Sequence, residues 1–116
     1  MIDKKNAIIY THNLLAENFA KTAHGLLRGT ERYNIVAVID KIHFGKDAGN
    51  VFHNRKLNIP VYETVESFLN DNTQTIDFCI VGVAFPGGQL ANECRDELFS
   101  AMRNKISIVS GLHQLL

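Results

Sequence analysis

Hydrophobic residues in this chain form short continuous runs, and these alternate with segments in which apolar residues recur at helical spacing. The continuous runs predict five strands, at residues 7–10, 35–39, 59–62, 77–84 and 106–109. Helical spacing predicts three helices, over residues 17–29, 65–71 and 89–104. Residues 41–58 are expected to form a long loop with at most a helical turn near 48–52, and Thr64 is expected to cap the helix that follows it.

The strand runs lack the alternation of apolar and polar residues that a half-exposed sheet requires. Continuous apolar strands that alternate with helices are typical of a parallel sheet covered on both faces. Right-handed crossovers then give a Rossmann-like, doubly wound α/β domain. We expect five parallel strands in the order 3-2-1-4-5 and a single domain over residues 1–116.

Ligands of such sheets bind beyond the carboxyl ends of the strands, near the point where the strand order reverses. The candidate ligand-binding residues at those ends are Thr11, Asn13, Asp40, Ala84, Pro86, Gly87, Gly88, Ser110 and Gly111. His12 and His113 also follow strands and are candidate acids or bases, because histidine exchanges protons near neutral pH. A surface or capping role for either histidine is the alternative.

The stretch GVAFPGG, residues 82–88, leads from the fourth long run into the clearest helix pattern. Gly87 and Gly88 precede the helix, whose first N–H groups lack partners and carry partial positive charge. Glycines at this point allow an anion, typically a phosphate, to approach the backbone. An ordinary strand-to-helix turn without a ligand is the alternative.

Asp40 ends the second strand, where an acid holds a ribose hydroxyl in many Rossmann sites. A solvated loop acid is the alternative. The first loop has no GxGxxG, which disfavours a dinucleotide site of the usual kind. Lys21 and Thr22 could reach an anion only if the first helix begins a turn later than residue 17; otherwise Lys21 is an exposed helix lysine.

Composition and charge disfavour several classes of function. The 12 basic and 12 acidic residues balance, so nothing builds the positive field of a nucleic-acid-binding protein. No apolar run is long enough to span a bilayer, and the polar N-terminus does not resemble a signal peptide. Cys79 and Cys94 fit two reduced, buried thiols, and no Cys/His cluster or HExxH string predicts a zinc site. We therefore expect a cytoplasmic protein without a metal.

Five strings taken in order resemble a single family: AKTAHGLLR (20–28), VAVID (36–40), GKDAG (45–49), GVAFPGG (82–88) and SGLH (110–113). They are similar to the N-terminal Rossmann-like domain of the D-glutamate N-acetyltransferase family, formerly of unknown function. The resemblance implies a second, C-terminal domain of P-loop type that this chain lacks. It therefore implies a fragment or single-domain form that is not catalytic alone.

A looser resemblance connects the IPVY string at residues 59–62, and the proline-bearing loop after the fourth strand, with CoA-binding Rossmann domains. Together the resemblances imply a nucleotide-like ligand, with CoA, acetyl-CoA or an adenine nucleotide suspected as the cofactor. The alternatives are a structural or oligomerisation domain on a Rossmann frame, and an NAD(P)-binding domain. The expected partners are the small-molecule ligand and either the missing domain or a second copy of the chain, with no nucleic acid and no membrane.

Overall fold

A computed structural model describes residues 4–11, 13, 15–16, 20–82 and 92–110 of the chain. Its described part contains nine helices and strands that alternate along the chain. They are β1 (Lys5–Tyr10), α1 (Lys21–Arg28), β2 (Tyr33–Ile39), α2 (Ala48–His53), β3 (Val61–Tyr62), α3 (Val65–Asp71), β4 (Phe78–Val81), α4 (Asn92–Arg103) and β5 (Ser107–Ser110).

The five strands form one parallel sheet in the order β3-β2-β1-β4-β5, which confirms the predicted Rossmann-like fold. Helix α1 contacts α2 and helix α3 contacts α4, as expected of two helical layers on a doubly wound sheet. The order reverses at β1, whose last residue, Tyr10, pairs with Ile39 on one side and Val81 on the other. The carboxyl ends of the three central strands therefore meet at one point of the sheet edge.

The core follows the continuous apolar runs of the strands. Ile8, Ile9 and Val38 are fully buried, and Ile80 is almost so. Val36 differs, because it is only partly buried. The pairing between β1 and β2 passes directly from Ala7↔Ile35 to Ile8↔Ala37, so Val36 lies in a β-bulge and has no partner across the ladder.

The segment predicted as a long loop with at most a helical turn near 48–52 contains a six-residue helix, α2, at that position. Asp47 starts it, because its carboxylate accepts hydrogen bonds from the N–H groups of Gly49 and Asn50 at 3.0 and 3.3 Å. Asn54 ends it in the left-handed conformation, with φ of 54°. The cap lies in the sequence, but the helix is too short to show helical periodicity.

The chain before α2 covers the outer edge of the sheet. The N–H of Gly45 donates to the carbonyl of Val61 at 2.9 Å, and the N–H of Val61 donates to the carbonyl of Lys46 at 3.1 Å. Strand β3 is therefore hydrogen-bonded on both sides although it has only two residues. This pairing removes the open edge that such a short strand would expose.

The helix boundaries differ from the sequence prediction at α1. The helix begins at Lys21, about a turn later than predicted, and Lys21 is exposed there. Helix α3 has the predicted bounds, and Thr64 caps it by accepting from the N–H of Ser67 at 3.0 Å. Helix α4 begins at Asn92, and residues 89–91 of its predicted span lie outside the described residues.

Candidate functional site

The carboxyl ends of β1 and β2 are joined by two buried polar residues. Because Tyr10 pairs with Ile39, the next residues along the two strands, Thr11 and Asp40, lie side by side. Both are fully buried or nearly so, at 0% and 1% exposure. The hydroxyl of Thr11 donates to Oδ2 of Asp40 at 2.7 Å. The structure thus brings together two of the residues that the sequence placed at the site.

The carboxylate of Asp40 accepts four hydrogen bonds from within the chain. Besides the Thr11 hydroxyl, Oδ2 accepts from the N–H of Leu15 at 3.0 Å. Oδ1 accepts from the backbone N–H of His43 at 3.2 Å and from its Nδ1 at 2.8 Å. Asp40 therefore connects the loop after β1 to the loop after β2. Its contact with a ribose stays a prediction.

Asn13 makes a second connection between the same two loops. Its side-chain oxygen accepts from the N–H groups of Lys41 and Ile42, at 2.9 and 3.3 Å. The residue has a positive φ of 65°, a conformation that asparagine tolerates better than most side chains. Asn13 and Asp40 together hold the two loops in one arrangement at the sheet edge.

His43 is a site residue that the sequence analysis missed. A carboxylate only accepts, so Nδ1 is the protonated nitrogen in its bond to Asp40. Among the described residues no group bonds to the other nitrogen, Nε2, and 16% of the side chain is exposed. His43 follows Asp40 by three residues, and this spacing allows the two side chains to meet. The sequence analysis considered only His12 and His113, because they lie nearest the strand ends.

A small crevice lies beside these loops. Its volume is about 170 Å³, and carboxylates outnumber cations in its lining. We call it the acidic crevice, defined by Tyr10, Asn13, Lys41, Glu63, Thr64, Asp96 and Glu97. Its acids come from the end of β3 and from α4, so only the fold brings them together. Glu97 also accepts from the N–H of Val65 at 2.7 Å, which fixes the start of α3 against α4.

A larger hollow is lined by the loop after β2 and by α2. Its volume is about 650 Å³, and we call it the basic cavity, defined by His43, Gly45, Lys46, Asp47, Asn50, Val51 and Lys56. The acid among these lining residues is Asp47, and its carboxylate accepts hydrogen bonds from four backbone N–H groups. Burial by itself would raise the pKa of Asp47, but the hydrogen bonds from Leu57, Ile59, Asn50 and Gly49 together lower it below its usual value.

A comparison with models of known protein families identifies the family of this chain. The model of the DUF1611_N family, a Rossmann-like domain of unknown function, matches residues 41–116, which is more than half of the chain. The chain belongs to the DUF1611_N family. The match includes the basic cavity and most of the acidic crevice, whereas Thr11, Asn13 and Asp40 precede it.

A solved structure shows the same DUF1611 relationship. The chain is similar to the crystal structure of a DUF1611 family protein from Anabaena variabilis, with a TM-score of 0.80 and 28% sequence identity. The alignment covers 97% of this chain and 31% of that protein, so the chain spans about a third of its length. A search of curated proteins finds no match.

The remaining predicted residues of this DUF1611_N domain are only partly described. His12, Ala84, Pro86, Gly87, Gly88, Gly111 and His113 lie outside the described residues. Ser110 ends β5, where it pairs with Val81.

Gly82 shows what lies close to the backbone where the GVAFPGG stretch begins. A Cβ atom on this residue would approach Cγ2 of Ile9 at 2.7 Å and Cβ of Ala23 at 2.8 Å. The N–H of Ala23 also donates to the carbonyl of Gly82 at 3.1 Å. This glycine therefore allows α1 to pack on the end of β4.

The two cysteines are buried and unpaired, as predicted. Burial raises the pKa of Cys79 to about 12 and that of Cys94 to about 11, so both are thiols at neutral pH. Among the described residues, no three His, Cys, Asp or Glu side chains form a group that could hold a metal ion. No helix in this part of the chain is long and apolar enough to cross a membrane.

Proposed function

We propose that this domain binds an adenine nucleotide, free or as part of CoA, at the carboxyl edge of its sheet. The observation that carries the proposal is the acidic crevice, which lies beside the point where the strand order reverses. This is the place where open α/β sheets bind their ligands. The crevice is smaller than the sites that enclose a whole small molecule, so it fits one part of a nucleotide.

The charge of the crevice supports the adenine base as that part. Adenine presents an amino group that donates hydrogen bonds, whereas guanine and hypoxanthine present an acceptor oxygen at the same position. Carboxylates only accept, so Glu63 and Asp96 would favour the amino group and disfavour the oxygen. The phosphates attached to the 5′ carbon are assigned to the backbone N–H groups of Gly87 and Gly88, on the sequence argument alone.

The family resemblance supports the biological context of the proposal. The domain would be the nucleotide- or CoA-binding part of a protein similar to D-glutamate N-acetyltransferase. Acyl transfer itself would belong to the whole protein, because this chain spans about a third of the relative from Anabaena variabilis. We propose a cytoplasmic location, because Cys79 and Cys94 are unpaired thiols of the kind that reducing compartments maintain.

Calorimetry with ADP and inosine 5′-diphosphate tests the proposal, because the two ligands differ at the base position that the carboxylates would contact. We expect ADP to bind roughly tenfold more tightly, a difference of about 1.4 kcal/mol. The double variant Glu63→Gln, Asp96→Asn should lose most of this preference. Glu66→Gln is the matched control, since Glu66 is exposed on α3 but does not line the crevice.

A thermal-shift panel of CoA, acetyl-CoA, ADP, ATP, NAD and NADP supplies the second arm of the test. A ligand that binds only the folded state raises the melting temperature. If no member of the panel does so and calorimetry detects no ADP binding, the proposed function is wrong. Gly88→Val tests the assigned phosphate contact: a variant with unchanged melting temperature and unchanged ADP affinity would remove that contact from the proposal.

A second candidate function rests on the outer face of α4. Phe99 and Met102 are 54% and 47% exposed there, one turn apart. Exposed apolar pairs of this kind are typical of association surfaces, and they favour the alternative of a domain that packs against another domain or a second copy. Sedimentation of the chain and of Phe99→Ser at high concentration tests it. A monomer in both cases would exclude self-association.

A further inference from the structure

The basic cavity has the size and the charge of a ligand site of its own. Its volume of about 650 Å³ lies within the range of roughly 300–1,000 Å³ that small-molecule pockets occupy. Among the described residues, none lines both this cavity and the acidic crevice. Lys46 and Lys56 are exposed in its lining, and four backbone N–H groups disperse the charge of Asp47. The lining therefore favours an anion.

Hydrogen bonds hold the backbone that carries the lining residues. The N–H of Lys46 donates to the carbonyl of His43 at 3.3 Å, which closes a turn at one side of the cavity. The carboxylate of Asp47 accepts from the N–H of Leu57 at 2.9 Å, which fixes the chain beside Lys56. The lining thus has a fixed backbone, as is usual for small-molecule sites.

His43 brings a proton-exchanging group to this cavity. Its Nδ1 donates to the buried Asp40 at 2.8 Å, which fixes the orientation of the ring. Nε2 is then the ring nitrogen that can exchange a proton next to a ligand. A carboxylate on Nδ1 stabilises the imidazolium that forms when Nε2 takes up a proton, as in the aspartate–histidine pairs of hydrolases.

The charged groups that face the ring determine how its protonation affects binding. They are Asp40 on the Nδ1 side and Lys46, Asp47 and Lys56 in the lining. Burial raises the pKa of Asp47, but its four backbone hydrogen bonds lower it further, so its charge is constant near neutral pH. Histidine is the residue type in the lining whose charge ordinarily changes between about pH 5 and pH 8. Protonation of His43 therefore adds one positive charge and one hydrogen-bond donor to the cavity.

We propose that the basic cavity is a second ligand site, for a small molecule with a carboxylate or phosphate group, and that Nε2 of His43 takes up a proton when this anion binds. The proton comes from the solvent and forms the N–H that donates to the anion, while Asp40 remains the acceptor of Nδ1. What the site recognises is the oxyanion that both groups share. The inference goes beyond the proposed nucleotide site and does not depend on it.

Calorimetry with sulfate and with tartrate, at constant ionic strength, provides the test. Both anions keep the same charge between about pH 5.5 and pH 8, the range in which histidine titrates, so a change in affinity reports the protein. We expect about tenfold tighter binding at the acid end of this range than at the alkaline end, because charge-assisted hydrogen bonds are the strong ones. The tighter anion indicates whether the site prefers a tetrahedral or a planar oxyanion. Titrations in buffers of different ionisation enthalpy should show proton uptake on binding.

Substitution of His43 assigns the proton to this residue. His43→Gln should bind the tighter anion with the same affinity across the pH range and without proton uptake. His53→Gln is the matched control, because His53 lies on α2 but does not line the cavity, and it should keep the full pH dependence. Asp40→Asn should move the rise in affinity to lower pH, because the imidazolium loses its carboxylate partner.

Substitution of the two lysines assigns the anion to the basic cavity. Lys46→Met with Lys56→Met should bind the anion about tenfold more weakly at every pH and keep the affinity of the parent for ADP. Lys5→Met is the control, because Lys5 lies at the start of β1, at the opposite edge of the sheet. The control should bind both ligands like the parent.

The outcomes separate this inference from the proposed function. No binding of either anion would exclude the second site, and unchanged anion affinity in the double lysine variant would exclude the basic cavity as its location. An affinity that is constant across the pH range, or a pH dependence that survives in His43→Gln, would exclude proton uptake at His43. ADP binding is measured separately, so each of these results leaves the proposed function standing. Anion binding with the expected pH dependence, but without ADP binding, would support this inference and overturn the proposed function.

Discussion

Asp40 and Asp47 both accept four hydrogen bonds within the described chain, but their donors differ in kind and in distance along the sequence. Asp47 accepts only from backbone N–H groups, two to twelve residues away. Asp40 is buried and accepts from two side chains as well, and its donors Thr11 and Leu15 lie 29 and 25 residues away. Asp47 therefore shapes one local segment, whereas Asp40 joins two loops that carry candidate site residues.

Because their hydrogen-bond donors differ, we expect different roles for the regions around Asp47 and Asp40. The Asp47 region builds the segment from α2 to β3, and its substitution should affect mainly stability. The Asp40 region orients His43 and holds the loop of Asn13, so its substitution should affect both stability and ligand binding. Three substitutions sharpen this comparison, in decreasing order of expected effect.

Gly49→Val should have the largest effect, because it disrupts the backbone around Asp47. A Cβ atom at this position would overlap the carbonyl oxygen of Arg55 and approach Cγ of Leu57 at 2.6 Å. Backbone cannot move aside as a flexible side chain can, so we expect a loss of more than about 3 kcal/mol in the free energy of unfolding. Urea denaturation measures it.

Gly25→Val is the matched control for this substitution. Gly25 lies in α1 with nothing within 4 Å of its added Cβ atom. Valine has a higher helix propensity than glycine, so this variant should unfold within about 0.5 kcal/mol of the parent. Equal losses for the two variants would show that the tight contact at Gly49 has no energetic importance.

Asp40→Ala should rank second in stability and first in its effect on binding. The substitution leaves the buried N–H of Leu15 without its acceptor, and the hydroxyl of Thr11 keeps only the carbonyl of Ile39, at 3.2 Å, so we expect a loss of about 1–3 kcal/mol in the free energy of unfolding. It also releases His43 and the loop that carries Leu15, so the affinity for ADP should fall. Denaturation and calorimetry at a temperature where the variant is folded measure the two effects.

Asp77→Ala provides the comparison for Asp40. Asp77 accepts from the N–H of Asn6 at 3.1 Å, at the opposite edge of the sheet. We expect a loss of about 1 kcal/mol in the free energy of unfolding and no change in the affinity for ADP. An Asp40→Ala variant that binds nucleotides like the parent would contradict the organising role of Asp40.

Asp47→Asn should have the smallest effect, and it depends on pH. The folded-state pKa of Asp47 lies below its usual value of 3.8, so the ionised form stabilises the fold above that pH. This contribution should be lost as the pH falls below about 3.8 and through the folded-state pKa, because the unfolded chain takes up the proton more readily. The asparagine of the variant carries no charge, so the variant lacks this pH-dependent contribution. The difference in unfolding free energy between parent and variant should therefore shrink as the pH falls below about 3.8. A difference that is constant between pH 7 and pH 2 would contradict the lowered pKa.

The sequence predicts the fold of this domain better than it predicts the candidate binding site. Continuous apolar runs such as Ile35–Ile39 report burial on both faces, and this is enough to infer the parallel sheet and its order. The cap at Thr64 was also predicted correctly, because capping depends on residues three positions apart. Signals of this kind are local, so a single sequence shows them.

The cavities depend on contacts that a single sequence does not show. Glu63 and Asp96 line one crevice although they are 33 positions apart, and no local pattern links them. The ligand contact predicted for Asp40 stays a prediction, but no local pattern shows the hydrogen bonds that its carboxylate accepts from Thr11 and Leu15. Helix α2 was underestimated because its stability comes from the hydrogen bonds of Asp47 and from packing, rather than from helical periodicity.

The central claim is that a nucleotide binds at the carboxyl edge of the sheet, and backbone amide shifts in a titration with ADP test it most directly. We expect the largest shifts at Asn13, Lys41 and His43, and negligible shifts at Lys5 and Arg103, which lie at the opposite edge. Saturable shifts confined to the first group would support the claim. No shifts at millimolar ligand, or shifts centred on the second group, would contradict it.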